Sequence, residues 1–151
     1  MQGPDYRSLE DDQLAELLFV AEDRLERDAA EEIIRRESLT PFLAQVVSDK
    51  QNWLAELPDW WAVVHATYLL GKKGGELTVT PLLSALRWPD ALDCDWVTEV
   101  MPAILGQVGP AAIPGLTMVT RDATAGWSAR DVATDALAAI GAQKRPAALL
   151  C

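Results

Sequence analysis

Apolar positions recur at three- and four-residue steps along most of this chain, the period of helices that each bury one face. Leu14, Leu17, Leu18, Ala21 and Leu25 form the first stripe, with Glu16, Glu22, Asp23 and Glu26 on the other faces. This predicts a capping helix over residues 8–24, behind a loose, disordered lead-in over residues 1–7 that contains Gly3 and Pro4. Ser8 stands three residues before Asp11 as an N-cap pattern, and the acids of the first turn complement the helix dipole. Ala29, Ala30, Ile33 and Ile34 mark a second helix over Arg27 to Arg36. A break is expected between Arg24 and Asp28, although without proline or glycine there the two helices could be one. Thr40-Pro41 restarts the chain, Thr40 as cap and Pro41 at the first helical position, ahead of Phe42, Leu43, Val46 and Val47. Lys50 to Asp59 reads as a loop.

Two later stretches, Trp60 to Trp88 and Asp95 to Arg121, are written in nearly the same letters, and a third copy begins at Trp127. Each opens near a tryptophan, runs about three turns to a glycine, and restarts at a proline. With Gly74, Gly109 and Gly141 as zero, position −4 holds Leu70, Leu105 and Leu137; −5 holds Leu69, Ile104 and Ala136; −12 holds Ala62, Val97 and Ala129. Position −9 holds His65, Val100 and Val132. A hairpin cannot bury its own apolar face, so copies at such a period are expected to stack and share a core. The pattern predicts an all-α fold, an α-α superhelix (solenoid) of about four antiparallel helical hairpins over residues 25–50, 60–88, 95–121 and 127–151, in a single domain spanning 8–151. Pro102 falls inside a first helix and should kink it.

Charge changes this picture at one end. The net charge is −10 over 151 residues. Residues 1–37 hold 12 acidic and 5 basic side chains, whereas 110–151 hold 3 and 4. Such a balance argues against nucleic acid as a partner, because phosphate neutralisation needs a basic surface. It favours a basic protein or peptide attracted by the acidic front half. Cys94 and Cys151 are far apart, with no CxxC pair, which fits a reducing, cytoplasmic setting. The N-terminus reads as no signal peptide, and no apolar run approaches the ~20 residues of a membrane helix. The closing letters PAALLC leave an apolar, weakly charged end, so a homodimer through residues 127–151 is expected.

The phrases LLGKKGGELTVTPLLSAL, ILGQVGPAAIPGLTMV and DALAAIG resemble HEAT-like repeats of the type found in phycobilisome-lyase-related and many uncharacterised bacterial proteins. The likeness covers residues 25–151. It implies an armadillo-like superhelix, and three activities that such repeats carry elsewhere: protein-binding scaffold, chromophore-lyase-like enzyme subunit and DNA-repair HEAT protein.

The residues themselves favour the scaffold. His65 is the only histidine, so any nucleophile-histidine or histidine-metal site would have to use it. Its phase is held by valine in the sister copies, which points it at the core. GKKGG at 71–75 lacks the phosphate-loop spacing and reads as a hairpin turn. Asp90, Asp93, Asp95 and Glu99 miss the calcium-loop pattern and read as a solvated loop with a helix cap at Asp93 or Asp95. Six tryptophans are the best lead. Trp60, Trp61, Trp96 and Trp127 open first helices, either to plug seams between repeats or to form an exposed ladder for a peptide; Trp53 and Trp88 fall in or beside loops. The candidate binding residues are therefore Trp60, Trp61, His65, Asp95, Trp96, Glu99 and Trp127. No catalytic set, metal site or cofactor is expected.

Overall fold

In the computed structural model, residues 5–150 are described, with side chains from 5 to 142. Among the described residues the α-helices, joined by turns and short 3-10 segments and without a β-strand, are α1 (Asp11–Val20), α2 (Arg27–Arg35), α3 (Thr40–Ser48), α4 (Lys50–Leu54), α5 (Trp61–Lys73), α6 (Glu76–Ser84), α7 (Trp88–Leu92), α8 (Asp95–Val108), α9 (Ile113–Arg121) and α10 (Trp127–Leu150). They gather into two compact units, residues 1–70 and 71–151.

In the first unit, Leu14, Leu18, Ile33, Leu43 and Val47 are fully buried. The lead-in is more regular than its composition suggests. From Asp5 onward it is a capped turn, Tyr6–Ser8 forming one 3-10 helix, while residues 1–4 lie outside the described part. Arg36 explains the tether. Its guanidinium donates to the carbonyls of Tyr6 and Arg7, to Asp11 at 2.9 Å and to Glu32 at 2.7 Å. Ser8 does not cap α1. Glu10 does so, in a reciprocal box with Gln13, because Ser8 Oγ donates instead to the Asp5 carbonyl. The break after α1 comes earlier than expected, at Glu22, whose φ of 54° carries the chain into the left-handed region. That conformation is uncommon for a residue with a Cβ and needs support from its surroundings.

Thr40 is not a cap either. A 3-10 turn, Glu37–Leu39, runs directly into α3, so Thr40 is already helical and buried, and Pro41 still occupies the first turn. The expected loop over 50–59 begins as α4, capped by the Asp49 carboxylate on the Gln51 amide. Its anchor is Trp53, which is buried and donates from Nε1 to the Val47 carbonyl at 2.7 Å.

The Arg36 cluster makes stability depend on pH. Hydrogen bonds from Arg35 and then Arg36 take the Glu32 carboxyl from 4.5 down to about 2. Those from Ser38 and Arg36 hold Asp11 below its ordinary value. A carboxylate depressed by folding contributes stability that is complete above its unfolded pKa and is lost as pH falls through the folded one. Melting temperature should therefore drop between about pH 5 and pH 2, and Glu32→Gln should flatten that slope. Parallel pH profiles for the two proteins would exclude this origin.

In the second unit, α10 packs on α8 and α9, and α6 packs on the same pair. Gly74 (φ 65°) and Gly109 (φ 86°) turn the chain as glycine alone does readily, and at Gly109 the helices diverge by 112°. Gly141 makes no such turn: the backbone of α10 continues helical to Leu150. The closing PAALLC, on which the expected dimer surface rests, lies outside the described side chains.

Most of the recurring phases are buried within their own units, Val100 at position −9 being half-buried beside buried His65 and Val132. Ala62, Val97 and Ala129, then Leu69, Ile104 and Ala136, are all core residues; Leu70 and Leu105 are fully buried and Leu137 half-buried. The prolines behave less uniformly. Pro114 stands in the first turn of α9. Pro81 lies inside α6, which begins five residues earlier, at Glu76, because Gly75 (φ 86°) redirects the chain and Glu76 supplies a negative charge to the new N-terminus. Helix α8 runs through Pro102 without ending. Among the described residues no single helix is long and apolar enough to cross a membrane.

Candidate functional site

Three of the sequence-derived candidates meet in the first unit. His65 is buried, and its Nε2 lies 2.5 Å from the Glu22 carbonyl oxygen. A carbonyl only accepts, so Nε2 carries the hydrogen. Trp61 stacks on the imidazole at 6.3 Å, and Trp60 meets Trp61 edge to face at 5.7 Å. Both indoles are half-buried. The His65 hydrogen bond holds the left-handed corner at Glu22, where the chain turns after α1 without a glycine, and Trp61 packs on the imidazole that makes it. Glu22, Asp23, Leu57, Pro58 and Trp61 also line a depression of about 390 Å³ at this corner.

The other candidates belong to the second unit. Asp95 is exposed in the first turn of α8, but the cap itself is Cys94; Asp93 adopts φ 55° and closes α7 instead. Glu99 is exposed and Trp96 half-buried. Trp127 opens α10 with 73% of its surface exposed, beside Thr120, Arg130, Asp131 and Thr134. Trp88, expected beside a loop, is buried at the start of α7 under the Arg87 guanidinium, 4.9 Å from its ring. Of the Asp90 to Glu99 acids, Asp90 accepts from the Ser128 amide at 3.1 Å. No group of three or more histidine, cysteine, aspartate or glutamate side chains among the described residues is placed to hold a metal ion. Burial pushes the Cys94 thiol pKa up, the opposite of what activates a nucleophile.

The arrangement best suited to binding was not singled out by the repeat pattern. It is an open groove of about 610 Å³ in the first unit, with Asp11, Asp12, Ala15, Glu16 and Phe19 of α1 on one wall and Ser38, Leu39 and Phe42 on the other. Helix α1 therefore presents two apolar faces. Leu14 and Leu18 point into the core, fully buried, while Ala15 and Phe19 are half-buried along the groove. Residues 12, 15, 16 and 19 share one side of a helix by their spacing. The sequence carried a signal for this: at 100° per residue Phe19 sits well off the Leu14 and Leu18 stripe, where a large aromatic has no core to enter.

Comparisons with family models, with characterised proteins and with solved structures found nothing that matches the chain.

Proposed function

We propose that this chain is a non-enzymatic interaction module of the cytoplasm, built from HEAT-like hairpins, and that a protein or peptide segment binds in the groove between α1 and the Ser38–Phe42 corner. The observation that carries this reading is the outward face of α1, where Phe19 and Ala15 face Phe42 across an open depression instead of entering the core. Burying such half-exposed aromatics against a partner supplies about 25 cal/mol per Å² of apolar surface removed from water. Aromatic side chains in a pocket are typical anchors of protein interfaces.

The test is affinity capture from the native lysate with the wild-type chain beside Phe19→Ser and Phe42→Ser. At least one protein retained by the wild type should fall about tenfold or more in both variants, a loss near 1.4 kcal/mol. Circular dichroism should meanwhile show unchanged helix content. An identical set of captured proteins from all three chains would refute the groove as the binding surface.

A further inference from the structure

We infer that the occupant of this groove is a basic amphipathic segment, one that places leucine or phenylalanine three or four residues from lysine or arginine. The inference rests on the groove reading above and specifies the partner's chemistry. Residues 8–23 contain six carboxylates, Glu10, Asp11, Asp12, Glu16, Glu22 and Asp23, and no lysine or arginine. All three carboxylates within α1, those of Asp11, Asp12 and Glu16, line the groove, whose lining contains no lysine or arginine. The acidic charge and the apolar floor are thus interleaved on one helix face, Asp12 standing three and four residues before Ala15 and Glu16, and these four and three before Phe19.

The three carboxylates are not equivalent. Asp11 is held by Arg36 at 2.9 Å, whose side chain is only 14% exposed and whose guanidinium is shared with Glu32. Asp11 therefore has its counter-charge within the fold. Asp12 and Glu16 are exposed, and neither has an ion pair among the described residues. They are the groups that a cationic partner would engage. An apolar side chain between Phe19 and Phe42 would sit one to two turns of α1 from these carboxylates, about 5–10 Å. On a helical peptide a leucine and a lysine separated by three or four residues fall on one face at a comparable spacing. Charge complementarity of this kind steers encounter and rejects acidic competitors.

The probe is a short amphipathic peptide of leucine and lysine, titrated into the full chain by calorimetry at low and at high salt. It is compared with a leucine and glutamine peptide of the same pattern. The lysine peptide should bind at least about tenfold more tightly than the glutamine one at low salt, and the preference should shrink as salt is added. The double variant Asp12→Asn with Glu16→Gln should abolish most of that preference. If the two peptides bind alike, or if the double variant leaves the preference intact, the basic partner is overturned. The groove itself is judged separately by Phe19→Ser and by Ala15→Gln, which crowds the floor without adding charge or removing a core side chain. If the lysine peptide binds both variants as it binds the wild type, the groove reading fails, and with it the inference. Absence of binding by the lysine peptide overturns the inference as well.

Discussion

Replacing Trp53 with alanine should destabilise the protein by about 4 kcal/mol, the middle of the range for truncating a buried aromatic. Trp53 is only 6% exposed, and its indole donates to the Val47 carbonyl at 2.7 Å. The substitution removes a large apolar volume and also leaves that acceptor without its donor. Trp53→Phe separates the two effects: it keeps most of the packing and loses the hydrogen bond, so it should cost about 1–2 kcal/mol. Urea denaturation followed by circular dichroism measures both. A Trp53→Ala chain with a midpoint within error of the wild type would show that Lys50–Leu54 is not anchored by this residue. Binding to the groove lined by α1 and α3 should suffer little from Trp53→Phe.

The second large effect reverses a usual sign. Glycine to alanine inside a helix ordinarily stabilises by about 1 kcal/mol. At Gly71, within α5, a Cβ would come 2.7 Å from Cγ2 of Ile104 on α8. That methyl is attached to a β-branched carbon in a helix, so it has almost no alternative rotamer. Ile104 is itself buried. Gly71→Ala is therefore expected to destabilise by about 2 kcal/mol through overpacking. Ile104→Val keeps that methyl, whereas Ile104→Ala removes it and should restore much of the loss in a double-mutant cycle. Stabilisation by Gly71→Ala alone would contradict the close approach of these two segments.

Much of the fold is legible in the letters because burial enforces periodicity. The phases carrying Ala62, Val97 and Ala129, or Leu69, Ile104 and Ala136, are apolar in every copy because each is a core position in its own unit. Helix ends were harder to place, for identifiable physical reasons. Ser8 resembles an N-cap, yet its hydroxyl finds the Asp5 carbonyl, and Glu10 with Gln13 does the capping. Pro81 resembles a helix start, yet Gly75 and Glu76 begin the helix earlier and leave the proline inside it. At Gly141 the expected turn is missing. A glycine permits a left-handed turn but does not compel one, and here the helical backbone continues. Position Glu22 shows the reverse case, a turn made without glycine and supported by His65 through a contact 43 residues away in sequence. No local rule could have found that corner.

The candidate site was less legible than the fold. Six tryptophans in 151 residues are a rich set, but Trp53 and Trp88 are buried, Trp60, Trp61 and Trp96 are half-buried, and of the six Trp127 alone is largely exposed. The groove depends on Phe19 and Phe42, which belong to different helices and to no repeat phase. The run of carboxylates on α1 is legible in the sequence, whereas the apolar floor beside it exists only once folding brings Phe42 opposite Phe19.

The double-faced character of α1 separates two kinds of selection that usually act on the same residues. A saturation mutagenesis library scored for cellular abundance should reject polar side chains at Leu14 and Leu18 while accepting them at Phe19. The same library scored for survival under conditions where the partner is needed should reject them at all three. One turn of helix would then report, position by position, which substitutions the chain refuses in order to fold and which it refuses in order to recognise.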